Sequence, residues 1–138
     1  MLCPFCLKDT PKSPCKYCNQ NLPPSYVDKH RVKRAILSAV GFSGHGKTVF
    51  LATLLHEMGN RLTYLWPNFY RQALNLESVR TVQQNLEILG RGDLPESTRR
   101  NFPNPSIHLL THIPQHGERV MIAYDPPGEA FESDELIE

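Results

Sequence analysis

Eight consecutive residues constrain this chain more than any other stretch: Gly41-Phe42-Ser43-Gly44-His45-Gly46-Lys47-Thr48. They follow the pattern G-x-x-x-x-G-K-[ST] and stand between an apolar run, AILSAV, and a helix-like run, KTVFLATLLHEM. A loop whose backbone N–H groups turn inward around a phosphate needs glycine wherever a Cβ would clash. Gly41, Gly44 and Gly46 meet that need. The next helix must begin there, so that its N-terminal partial charge faces the anion. In such a loop Lys47 reaches the β- and γ-oxygens, and the Thr48 hydroxyl ligates Mg²⁺. Ser43, His45 and Val49 complete the candidate nucleotide-contacting set. The plainer alternative is a glycine-rich turn joining a strand to a helix.

A second motif must supply Mg²⁺ coordination from the end of a neighbouring strand. RVMIAYDPPGE does so: the apolar strand from Val120 to Tyr124 ends in Asp125, whose carboxylate can hold the metal through water. Gly128 lies three residues on, where its N–H would meet the γ-phosphate. Taken alone, an acidic turn after a strand is common. Between the two motifs, GDLPESTRRNF sits where a mobile sensing loop would be, with Thr98 as the first candidate and Ser97 as the second. Arg99 and Arg100 are placed to neutralise transition-state charge. Solvated loop arginines are the simpler reading of both.

The order of strand, GFSGHGKT, helix, L-P-x-x-T loop, antiparallel hairpin and YDPPGE resembles the Ras-like GTPases among P-loop proteins. Within them it is most similar to the bacterial double-GTPase group, through GKTVFLATLL and YDPPGE. The resemblance covers residues 35–132. It implies an α/β three-layer sandwich, GTP binding with Mg²⁺, slow hydrolysis, and a role as a switch or in a bacterial conflict system. Three departures stand out. Glu129 occupies the position where many relatives carry the water-orienting Gln, so a carboxylate there would serve as base or repel the γ-phosphate. Ser43 replaces a glycine that many small GTPases keep. No N-K-x-D motif occurs, so the guanine-reading half of the site is missing from the sequence. About three further strands with their helices would complete such a sheet, so residues 35–138 are expected to be the N-terminal part of the domain. An ATPase of the same class is the first alternative. The second is a non-catalytic adaptor with a structural or inactive nucleotide site.

The four cysteines form two C-x-x-C pairs, Cys3 with Cys6 and Cys15 with Cys18, eight residues apart. Each such turn points two sulfurs at one atom, and two turns supply the four-thiolate set that structural zinc prefers. Twenty-odd residues cannot bury a core of their own, so the metal would supply the folding free energy. The stretch resembles a short zinc ribbon. Iron, redox thiols and disulfides are the other uses open to four cysteines. A closed four-cysteine site leaves no position for substrate, so this metal is expected to be a staple. The expected organisation is a zinc ribbon over 1–24, a polar and basic linker over 25–34, and the P-loop unit over 35–138.

Net charge is +1, with 40% apolar and 21% charged residues. This gives no bulk field to recruit nucleic acid or an acidic membrane. The apolar runs are too short to span a bilayer, and MLCPFC is unlike a secretory start. Paired cysteines without a signal then favour metal in a reducing, cytoplasmic setting. The expected partners are the nucleotide and a protein bound through the ribbon or the switch loops.

The remaining expectations concern local structure. AILSAV, apolar on both faces, is expected as a central covered strand. A helix from Lys47 to about Met58 follows, and Trp66–Gly90 is expected to be helical throughout. SIHLLTHI and RVMIAY form a hairpin, with SIHLLTHI at the edge and His108, His112 and His116 exposed. Trp66, Phe69 and Tyr70 are expected to pack in a core.

Overall fold

The computed structural model describes residues 1–42, 44–94 and 104–127. Its elements run α1 (Pro24–Asp28), β1 (Arg34–Ser38), α2 (Lys47–Asn60), α3 (Leu62–Leu65), β2 (Tyr70–Ala73), α4 (Leu76–Gly90), β3 (Ser106–Ile113) and β4 (Gly117–Tyr124). The strands make one mixed sheet in the order β1-β4-β3-β2, an α/β arrangement. β1 runs parallel to β4, with Arg34 opposite Val120 and Ser38 opposite Tyr124. β4 and β3 form the expected antiparallel hairpin, which turns through Gln115 and Gly117 at positive φ.

Alternation along β3 and β4 sorts their side chains onto two covered faces. Ile107, Leu109, Val120 and Ile122 face a core shared with Cys3, Cys15, Leu22, Tyr26 and Leu74. Leu110 and Met121 face the other way, against Leu55 of α2, Val82 of α4 and Phe69. Ile107, Val120 and Ile122 are all fully enclosed. Each such side chain contributes about 1.5–3 kcal/mol by leaving water. The sheet is therefore sandwiched between the cysteine module with α1 on one side and α2 with α4 on the other.

Several local expectations give way to this packing. AILSAV lies at the sheet edge instead of its centre: β1 pairs only with β4 among the described residues, and Ile36 is 52% exposed. β3, expected at the edge, is interior, because β2 occupies that edge. The run from Trp66 to Gly90 is not one helix. Trp66 ends α3 in an extended conformation, Asn68 adopts positive φ, and β2 follows before α4 begins. Pro67 cannot continue a helix. Asn75 starts the next one, its side chain accepting a hydrogen bond from Ser78 N at 3.2 Å. Phe69 is buried and Trp66 packs edge-on against it at 5.4 Å between ring centroids, whereas Tyr70 is exposed.

The segment 25–34, expected as a linker, carries most of α1, and Tyr26 is fully buried. Its hydroxyl donates to Leu2 O at 2.5 Å, and Arg34 lies over its ring at 5.2 Å. The N-terminal module is thus packed onto the sheet. No helix among the described residues is long and apolar enough to cross a membrane.

Candidate functional site

The two C-x-x-C stretches, CPFC and CKYC, form a structural repeat. Cys3 O accepts from Leu7 N at 3.0 Å while Cys3 N donates to Lys8 O at 2.9 Å. Cys15 O accepts from Asn19 N at 2.8 Å while Cys15 N donates to Gln20 O at 2.9 Å. Leu7 and Asn19 hold matching positive φ values of 57° and 56°. The two turns bring all four sulfurs within 4.8 Å of one another. Cys3 with Cys18, and Cys6 with Cys15, are 3.7 Å apart, and all four cysteines are free of disulfides. A tetrahedron with metal–sulfur bonds of about 2.3 Å has edges of about 3.8 Å. The set fits a metal such as zinc.

The sulfurs are not equivalent before a metal arrives. Burial pushes the Cys3 thiol up to about 12. Burial also opposes ionisation of Cys15, yet the backbone N–H groups of Cys18 and Tyr17 bring it down to about 6. Cys15 then offers a thiolate near neutral pH, the form that metals bind.

On the sheet's helical side, the glycine loop leads from β1 into α2. Gly41, Gly44 and Gly46 all have positive φ (154°, 76° and 73°), and a side chain at any of them would be strained. Gly46 is the residue before α2, and no side chain caps that helix start. Lys47 folds back across the loop, its ammonium donating to Gly41 O at 2.7 Å and Phe42 O at 2.8 Å. His45 is exposed, edge-on to the Phe42 ring at 5.5 Å. Val49 is half-buried in the first turn.

Thr48, one residue on, donates from Oγ1 to Asp125 Oδ2 at 2.5 Å across 77 residues of chain. The parallel pairing of β1 with β4 brings the two together, since Ser38 and Tyr124 are register partners. A cavity of about 190 Å³ opens beside the pair, between α2 and the Thr81–Asn85 side of α4. Ser43, Ser97, Thr98, Arg99, Arg100, Gly128 and Glu129 lie outside the described residues.

Two features were invisible in the sequence. His108, expected to be exposed, is fully buried, and its Nδ1 sits 3.1 Å from Arg71 Nη1. Burial first, and then the Arg71 charge, lower its pKa to about 3, so the ring is neutral. His112 and His116 are exposed as expected. The second feature is Tyr124, whose hydroxyl donates to Pro4 O at 2.5 Å. That bond ties the first cysteine turn to the residue preceding Asp125.

Set beside family models, curated proteins and solved structures, the chain matches none of them.

Proposed function

We propose that this chain binds a nucleoside triphosphate, GTP in preference to ATP, with Mg²⁺, and hydrolyses it slowly as a molecular switch. The observation that carries the reading is the Thr48–Asp125 contact at 2.5 Å. A hydroxyl at the start of a loop-led helix and a carboxylate at the end of a neighbouring parallel strand are the two protein oxygens such a Mg²⁺ site requires. A bound Mg²⁺ would neutralise charge on the phosphates. Lys47 supplies the second cation. Its ammonium now rests on two loop carbonyls, neutral partners that phosphate oxygens would outbid through charge-assisted bonds.

The Ras-like three-layer P-loop fold is part of this proposal. Support comes from the β1–β4 pairing and from the helix that follows the loop. Gly128 would donate its N–H to the γ-phosphate, Thr98 would sense it, and Glu129 would act as the base for water. The cysteine module would hold zinc as a staple and offer a protein-binding surface, in a cytoplasmic bacterial protein.

Competition between GTP and ATP for the purified protein tests the base. Hydrolysis measured above a Lys47→Ala control tests the enzyme. Lys47→Ala should lose about ten- to more than a hundredfold in triphosphate affinity, the weight of one charge-assisted contact. Unchanged binding would reduce the loop to a turn.

A further inference from the structure

Among the described residues, Arg71 is a half-buried cation without a counter-charge. Among the described residues Lys29 pairs with Glu118 and Arg61 with Glu57, and no carboxylate pairs with Arg71. Its one side-chain hydrogen bond there goes to the neutral His108 ring, and its Nε is buried with no hydrogen-bond partner. Because His108 Nδ1 accepts from Arg71, the ring proton sits on Nε2, which is also buried and unpartnered. A charge taken out of water in this way is costly unless something of opposite sign joins it.

The guanidinium lines a cavity of about 290 Å³ between α2, β2 and α4. That lies at the small end of ligand pockets, which run from about 300 Å³ upward. α2 contributes the polar His56 to the lining, and α4 contributes Gln83 together with three aliphatic side chains. Those three, Val79, Val82 and Leu86, make the α4 wall largely aliphatic. Arg71 lies against α2 at Gly59, where a Cβ would stand in ordinary contact with Nη2 at 3.4 Å and Nε at 3.5 Å. The C-terminal partial charge of α2 offsets part of the cation's cost, but it amounts to about half a charge at most.

We propose that this cavity binds a small carboxylate with a short aliphatic body, held by the Arg71 guanidinium and steadied by His108. The planar fork of an arginine matches a carboxylate with two parallel hydrogen bonds, and the aliphatic wall takes the hydrocarbon part. His108 is a positioning residue that fixes one arm of the fork. The pocket is separate from the phosphate loop. His56 follows Lys47 by nine residues along α2, on the order of 13 Å at the helical rise. The proposal therefore does not rest on nucleotide binding.

The test is a butyrate titration of the full chain at constant ionic strength, followed by NMR at the Arg71 Nε–H and His108 Nε2–H signals. Butyramide, the neutral isostere, is the control. A parallel series in Lys47→Ala removes anion binding at the phosphate loop. Saturable shifts with butyrate, absent with butyramide and unaffected by Lys47→Ala, are expected. Arg71→Gln should weaken butyrate about ten- to a hundredfold. If that variant does not fold, the butyrate and butyramide series on the unaltered side chain still decide. Equal responses to the two probes, no response, or a response that Lys47→Ala abolishes would each overturn the proposal.

Discussion

Acidification should destabilise this protein through a single buried ring. His108 is fully enclosed, and burial, followed by the Arg71 charge, holds its pKa at about 3 against 6.5 in the unfolded chain. A base with a depressed folded pKa stabilises the fold while it stays neutral. Its contribution is complete above the unfolded value and is lost as pH falls from there toward the folded one. Between those limits the unfolded chain binds one more proton, and stability falls by about 1.4 kcal/mol per pH unit. Going from about pH 7 to about pH 5 should therefore cost about 2 kcal/mol. The assay is urea unfolding across that range for the wild type and for His108→Asn, whose amide oxygen can still accept from Arg71. The variant will be weaker throughout, since it leaves a gap. The diagnostic is the slope: the wild type should lose about 2 kcal/mol more than the variant over the interval. Thiolates of the cysteine cluster titrate in both proteins and cancel. Parallel pH profiles would refute the assignment of a buried neutral histidine.

Zinc should bind at one ion per chain, and Cys15→Ser should abolish it, as read by metal analysis of purified protein. Chelation should also weaken triphosphate binding, because Tyr124 bonds to Pro4 and the cysteines share a core with β3 and β4; nucleotide affinity indifferent to zinc would contradict that coupling. Asn75→Ala should cost about 1 kcal/mol in urea unfolding by removing the α4 cap, and a neutral result would place the helix start elsewhere.

What the sequence made legible was local chemistry with a fixed spacing. The cysteine turns, the glycine loop with its helix and the hairpin each carry their reason within one short contiguous stretch of chain. The hydrogen bond between Thr48 and Asp125 joins two motifs that lie far apart in the sequence. The misread parts depend on neighbours that spacing does not reveal. Apolar character on both faces suits an edge strand such as β1 as well as a central one. β2 is only four residues long and lies between two helices, so helical periodicity from Leu76 onward absorbed it. Nothing near His108 signals burial, since its environment is set by Arg71 and by the strands on either side. Tyr26 looked like part of a polar connection, because its burial comes from the sheet beneath it.

Triphosphate affinity in Mg²⁺ and in EDTA, compared for the wild type, Lys47→Ala and Asp125→Ala, decides whether Thr48 and Asp125 serve a metal-dependent nucleotide site. If Thr48 and Asp125 hold the metal, Asp125→Ala should weaken binding far more in Mg²⁺ than in EDTA. Without the metal, removing a carboxylate near phosphate oxygens should be neutral or helpful. Lys47→Ala should lose affinity in both buffers, because its contact with the phosphates is direct. Equal losses for Asp125→Ala with and without Mg²⁺ would rule out a metal role and leave that carboxylate as a structural partner of Thr48.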